Sequence, residues 1–240
     1  MKTKTSFSQE LLATAGALVS LALLIGSATE AGAGPLTLQL SDGTTTVTTT
    51  DGGGGDLNSV AGALTFIGPI GNFSVNVASG LSSPVLAAPY PHLDLSSVHV
   101  ASPAGGSLTI SLSQTGFTSL ETVRTFVTNW GGTLSGSGST ASFDVFINPD
   151  DGLFSTTGTQ VADLGPAGPG AFSGTADAEA AVDDSFSVTL LSTISMISGG
   201  SFSSDGEVQI AVPEPTSLAL LGAAMLGLGL FGRRRRHWAS

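Results

Sequence analysis

Apolar residues recur at every second position through most of this chain, the period of a strand with one buried face. Leu36-Thr37-Leu38-Gln39-Leu40 alternates strictly, and Phe73, Val75 and Val77 fall on one side of a second run. Similar runs cover Leu64 to Ile67, Leu93 to Val100, Ser107 to Ser113, Val123 to Thr128, Ser142 to Ile147, Phe172 to Ala178, Phe186 to Ile197 and Glu207 to Ile210. Thr44 to Thr50 adds a β-branched polar run. Turn chemistry separates them: Asp42-Gly43 as a hairpin signal, Gly68-Pro69, Pro103-Ala-Gly-Gly106, Gly131-Gly132, Asn148-Pro-Asp-Asp-Gly152, Pro166-Ala-Gly-Pro169 and Gly199-Gly200. The glycine run from Asp51 to Asp56 has no side chains to pack and reads as a loop. Away from the two ends no segment keeps a helical stripe. The pattern predicts an all-β body, an antiparallel β-sandwich of about ten to twelve short strands, jelly-roll-like in kind.

Two segments break the period-two pattern, one at each end. Near the N-terminus, Lys2 and Lys4 precede an uncharged apolar run from Leu11 to Ile25, and Ala31-Gly32-Ala33 fits a small-x-small cleavage site. Residues 1–33 therefore read as a secretory signal peptide, with the mature chain starting between Thr29 and Gly34. Near the C-terminus, Thr216 to Gly232 is apolar and uncharged. As a helix it would extend roughly 25 Å at about 1.5 Å per residue, near the lower limit for spanning a bilayer. Arg233 to Arg236 follow directly, and such a basic block stays on the cytoplasmic side. Val212-Pro213-Glu214-Pro215 comes just before the run. Two prolines around one residue cannot enter a helix interior, so this tetrapeptide is expected to be a stiff, extended joint. The expected organisation is a signal peptide at 1–33, a β-sandwich body at 34–210 and a tail at 211–240, with a helix at each end.

The order of motif, short apolar run and arginine block resembles the PEP-CTERM sorting signal of Gram-negative bacteria. That resemblance implies recognition of Val212, Pro213, Glu214 and Pro215 by an exosortase, an integral-membrane processing enzyme of bacteria that make extracellular polysaccharide. It also implies that Arg233, Arg234, Arg235 and Arg236 set the topology. The stretch from Asp56 through Phe117 resembles the β-rich bodies of such proteins, which implies a fold and no activity.

Charge narrows the function. Between Thr5 and Gly232 the only basic residue is Arg124, while Asp42 to Glu207 contains fifteen acidic ones. A surface of that sign repels nucleic acid and anionic lipid. With no cysteine in 240 residues, disulfides, thiolate catalysis and Cys-based metal centres are excluded.

Candidate chemistry is sparse. His92 and His99 are seven residues apart, which would place them on opposite faces of one continuous strand; they read as surface histidines, and His237 lies in the tail. Neither G-x-S-x-G nor H-E-x-x-H occurs. Gly227-Leu-Gly229-Leu-Phe-Gly232 satisfies G-x-G-x-x-G but lacks the strand, helix and acidic residue that a dinucleotide site needs. Asn148, Asp150 and Asp151, and likewise Asp183 and Asp184, gather oxygen ligands on turns without an EF-hand spacing, and read as solvated turns. Asn72-Phe-Ser74 forms a sequon that predicts little. No catalytic residue, metal site or cofactor is expected.

The leading expectation is an exported, exosortase-sorted protein of the cell surface or extracellular matrix, without enzymatic activity. Its partners would be the secretion machinery and signal peptidase, the exosortase, the inner membrane through Thr216 to Gly232, and extracellular polysaccharide. A periplasmic body on an anchored precursor would precede the final address. The alternatives are a carbohydrate- or calcium-binding extracellular module and a hydrolase with an unrecognised site. Trp130 and Tyr90, the only Trp and Tyr of the body, offer the first little aromatic surface.

Overall fold

The computed structural model describes residues 33–86, 91–119, 121–182, 184–197 and 199–211, with the side chains of Ala78 and Ser79 excepted. The expected signal peptide, apart from Ala33, and nearly all of the C-terminal tail lie outside these residues, and so do both terminal helices. Among the described residues there are twelve strands and no helix. In chain order they are β1 (Thr37–Ser41), β2 (Thr46–Thr50), β3 (Ala63–Ile70), β4 (Phe73–Leu81), β5 (His92–Ser102), β6 (Gly106–Phe117), β7 (Val123–Leu134), β8 (Thr140–Asn148), β9 (Thr159–Ala167), β10 (Gly170–Ala181), β11 (Phe186–Met196) and β12 (Gly200–Ile210).

The strands form two six-stranded antiparallel sheets, β2-β1-β6-β11-β8-β9 (sheet A) and β10-β7-β12-β5-β4-β3 (sheet B). From β5 onward the chain changes sheet at every connection except β8 to β9. The resulting orders β5-β12-β7-β10 and β6-β11-β8-β9 are those of an eight-stranded jelly roll. β1 and β2 lengthen one sheet beside β6, and β3 and β4 lengthen the other beside β5.

Alternation explains the core. Leu38 and Leu40 in sheet A, and Val75, Val77, Leu93 and Leu95 in sheet B, are all 1% exposed or less. Phe126, Phe143, Phe186 and Phe202 are the largest fully buried side chains, and burying each contributes roughly 1.5–3 kcal/mol. Trp130 stacks on Phe143 with ring centroids 6.0 Å apart and tilts against Phe172 at 4.3 Å. The one described tryptophan is thus part of the core.

Three local expectations need correction. Gly68-Pro69 is no turn: both residues lie inside β3, an edge strand, where a proline without an N–H is tolerated. The turn follows at Gly71, whose φ of +53° suits a two-residue hairpin joining Ile70 to Phe73. Gly131-Gly132 lies within β7 for a packing reason. A Cβ on Gly132 would fall 2.1 Å from the Ser203 carbonyl oxygen and 2.9 Å from the ring of Phe172. The third correction concerns β5. Ser97 has φ +55°, and Ser96 and Ser97 together oppose Asp205 where the register with β12 shifts. Beyond this bulge the inward set changes from Leu93 and Leu95 to Val98, Val100 and Ser102. His92 and His99 therefore share the outer face of sheet B, although their odd spacing predicts opposite faces.

Candidate functional site

The bulge assembles a polar strip on the outer face of sheet B. One row runs across the strands as Ile67 (β3), Asn76 (β4), His99 (β5), Ser203 (β12), Thr133 (β7) and Ala171 (β10). Together with Ser74 and Ser201 from the neighbouring row, its central members line a groove of ≈ 280 Å³. Ala101 sits between these two serines and keeps the floor low.

The groove side chains are short of partners. Among the described residues the side chains of Ser74, His99, Thr133 and Ser203 make no hydrogen bond, while Ser201 Oγ pairs with Ser135 Oγ at 2.8 Å. Asn76 Oδ1 is buried and has no partner. An unmet buried acceptor of this kind costs about 1–3 kcal/mol.

Further along the same face lies a carboxylate cluster. His92 Nε2 is 3.3 Å from Glu207 Oε2, and Asn129 Nδ2 donates to Glu207 Oε1 at 3.0 Å. Asp94 pairs directly with Glu207 across the strands. Burial pushes the Asp94 carboxyl up to about 6; the Glu207 carboxylate adds to this, and a hydrogen bond from Ser96 opposes it. Asp205 Oδ1 accepts the Ser97 amide at 2.6 Å and so holds the bulge.

The elements of a hydrolytic dyad fall on different histidines. His92 has a carboxylate beside it but does not line the groove, and His99 lines the groove without a carboxylate partner. The acidic turns have structural employment. Asp151 accepts the Gly116 amide on Oδ1 and the Ser185 hydroxyl on Oδ2, both at 2.8 Å, and Asn148 Oδ1 accepts the Asp150 amide at 2.8 Å. In the glycine loop, Asp56 accepts the amides of Gly52, Asn58 and Thr65, and Asp51 accepts that of Gly62. Among the described residues no group of three His, Cys, Asp or Glu side chains is placed to hold a metal ion. Asp184 and Asn72 are exposed, whereas Tyr90, Asp183, His237, Gly227, Gly229 and Gly232 lie outside the described residues. So do Val212, Pro213, Glu214, Pro215 and Arg233 to Arg236.

The groove has no signal in the sequence. Its residues come from four strands between positions 74 and 203, and only the strand register brings them together.

No curated protein matches the chain. Solved structures similar to it include the enzymatically active domain of bacteriophage CBA120 tailspike protein 4, at 15% identity and TM-score 0.34, covering 59% of this chain and 20% of that one. TmCBM61 in complex with β-1,4-galactotriose is similar at 12% identity and TM-score 0.28, covering 58% and 83%. A carbohydrate-binding module of the β-sandwich superfamily gives 14% identity and TM-score 0.33, covering 77% and 87%. The chain spans about one fifth of the tailspike domain's length, and likenesses this distant carry no argument about ligand or activity. The sequence comparison is more specific: residues 211–236 match the PEP-CTERM protein-sorting motif, and the chain is a protein that carries a PEP-CTERM sorting domain.

Proposed function

We propose that this is an exported protein, sorted by an exosortase, whose β-sandwich body is presented at the cell surface or in the extracellular matrix and has no enzymatic activity of its own. The match of residues 211–236 to the sorting motif carries this reading. The chemistry of the tail supports it. Val212-Pro213-Glu214-Pro215 joins the last strand to an apolar run that four arginines stop at the cytoplasmic side. Lys2 and Lys4 hold the N-terminus on that same side, so both ends agree on one orientation with the body outside. The precursor is anchored in the inner membrane through Thr216 to Gly232 until the exosortase acts.

Changing Pro213, Glu214 and Pro215 to alanine tests this in an exosortase-bearing host. The apolar run still spans but the joint loses its shape and charge, so full-length precursor should accumulate in the membrane, detected by a C-terminal tag. Processing at the parental rate would leave the tail a plain anchor.

A second reading, an extracellular carbohydrate-binding module, is supported by one observation: the hydroxyl- and amide-lined groove with unpaired polar groups on sheet B.

A further inference from the structure

We propose that the groove across β4, β5, β12 and β7 binds a neutral polysaccharide chain, which lies across the strands along the row Asn76, His99, Ser203 and Thr133. This rests on the reading of the body as an extracellular carbohydrate-binding module and specifies its ligand and its site.

The lining chemistry selects a polyol. Ser74, Ser201, Ser203 and Thr133 present hydroxyls, Asn76 an amide and His99 an imidazole, and no Asp, Glu, Lys or Arg side chain lines the groove. Hydroxyls and amides both donate and accept, as the hydroxyls of a sugar do. Strands stand ~4.8 Å apart, so the row offers a polar side chain at that interval over four strands. A polymer that repeats one hydroxyl-rich unit can use each of them in turn. Among the described residues the side chains of Ser74, His99, Thr133 and Ser203 make no hydrogen bond within the protein, which leaves them free to pair with ligand hydroxyls.

The surroundings decide the charge of the ligand. Asp205, Glu207 and Asp94 follow on the same face, and Arg124 is the only basic residue between Thr5 and Gly232. A uronic or sulfated polymer would be repelled. At the other end of the row Ile67 is 59% exposed beside Asn76 and offers apolar contact to sugar C–H groups. At ≈ 280 Å³ the groove is just below the ~300–1,000 Å³ of small-molecule pockets, so it holds a short segment of a chain that continues beyond it. With Trp130 buried in the core no described Trp stacks on the sugar there, and binding at a single site is weak.

The test is native affinity electrophoresis of the full-length protein in detergent, through gels that contain neutral polysaccharides (hydroxyethylcellulose, galactan, xylan, dextran) or alginate. At least one neutral polymer should retard the protein and alginate should not. Ser203→Arg and Asn76→Leu should each weaken that retardation about tenfold or more, as expected from the loss of roughly one or two hydrogen bonds. Thr193→Arg, on the outer face of sheet A, adds the same charge and should leave it unchanged. Thermal melting verifies that each variant is folded, and Ser203→Ala replaces any that is not. Retardation by alginate, or retardation by a neutral polymer that folded groove variants leave intact, overturns this site and ligand while the carbohydrate-binding reading stands. Retardation by none of the polymers overturns both.

Discussion

Ser113, Thr189 and Ser187 on the outer face of sheet A are 1% exposed or less, because the segment after β8 folds across them. Ser113 Oγ pairs with Thr189 Oγ1 at 2.9 Å and accepts the Phe154 amide at 3.1 Å, and Ser187 Oγ donates to the Gly152 carbonyl at 2.7 Å. On sheet B, Ser74, Ser203 and Thr133 also point outward, and among the described residues their side chains have neither a covering segment nor a hydrogen-bond partner. The same side-chain chemistry is thus used in two ways. On sheet A it fastens a loop; on sheet B it stays available to something outside the protein. Hydroxyl-rich strands are consequently no evidence of a binding face in themselves, and the useful distinction is whether the chain's own loops have already taken the hydrogen bonds.

The first way to break this contrast is to release the cover on sheet A. Asp151 ties that loop to Gly116 and Ser185, so Asp151→Ala should cost about 2–3 kcal/mol, as hydrogen bonds to a charged group are lost and the Gly116 amide is stranded. Chemical denaturation of the purified protein measures it, and a loss below about 0.5 kcal/mol would show that the loop covers without holding.

A smaller effect is expected at the carboxylate cluster. The raised Asp94 carboxyl binds its proton more tightly in the folded than in the unfolded chain, so its contribution is fully present below about pH 4 and is lost as pH rises through about 6. Asp94→Asn should therefore flatten the pH dependence of stability in that window. It should also stabilise the protein at pH 8 by on the order of 1 kcal/mol, a figure reduced for the partial exposure of the site. Melting curves from pH 4 to 8 would contradict this if parent and variant ran parallel.

The smallest effect sharpens the contrast. Ser203→Ala should change stability by no more than about 0.5 kcal/mol, since no internal hydrogen bond is lost. A cost above about 1 kcal/mol would mean that the groove hydroxyls work for the fold.

Much of the sandwich was legible because its strands alternate: nearly every run read from the sequence falls within an observed strand. β9 was missed. Thr159–Ala167 is an edge strand with two register shifts and with Gly165 and Pro166 inside it, so it has little alternation to read. Gly131-Gly132 departs for the opposite reason, since the Ser203 carbonyl and the Phe172 ring demand bare backbone at Gly132 where composition suggests a turn. The shared face of His92 and His99 hinges on one extra residue at Ser97, which no periodicity announces. The sorting motif was legible in full because it is contiguous, whereas the groove exists only after four strands have found their register.

Export of this chain and its sorting through the C-terminal motif leave their record in the mature protein, which mass spectrometry can identify in the membrane, matrix and medium of the native cells. The expected mature form starts between Thr29 and Gly34, lacks Arg233 to Arg236 and is found outside the inner membrane. A chain found only in the inner membrane, with its four arginines intact, would contradict it.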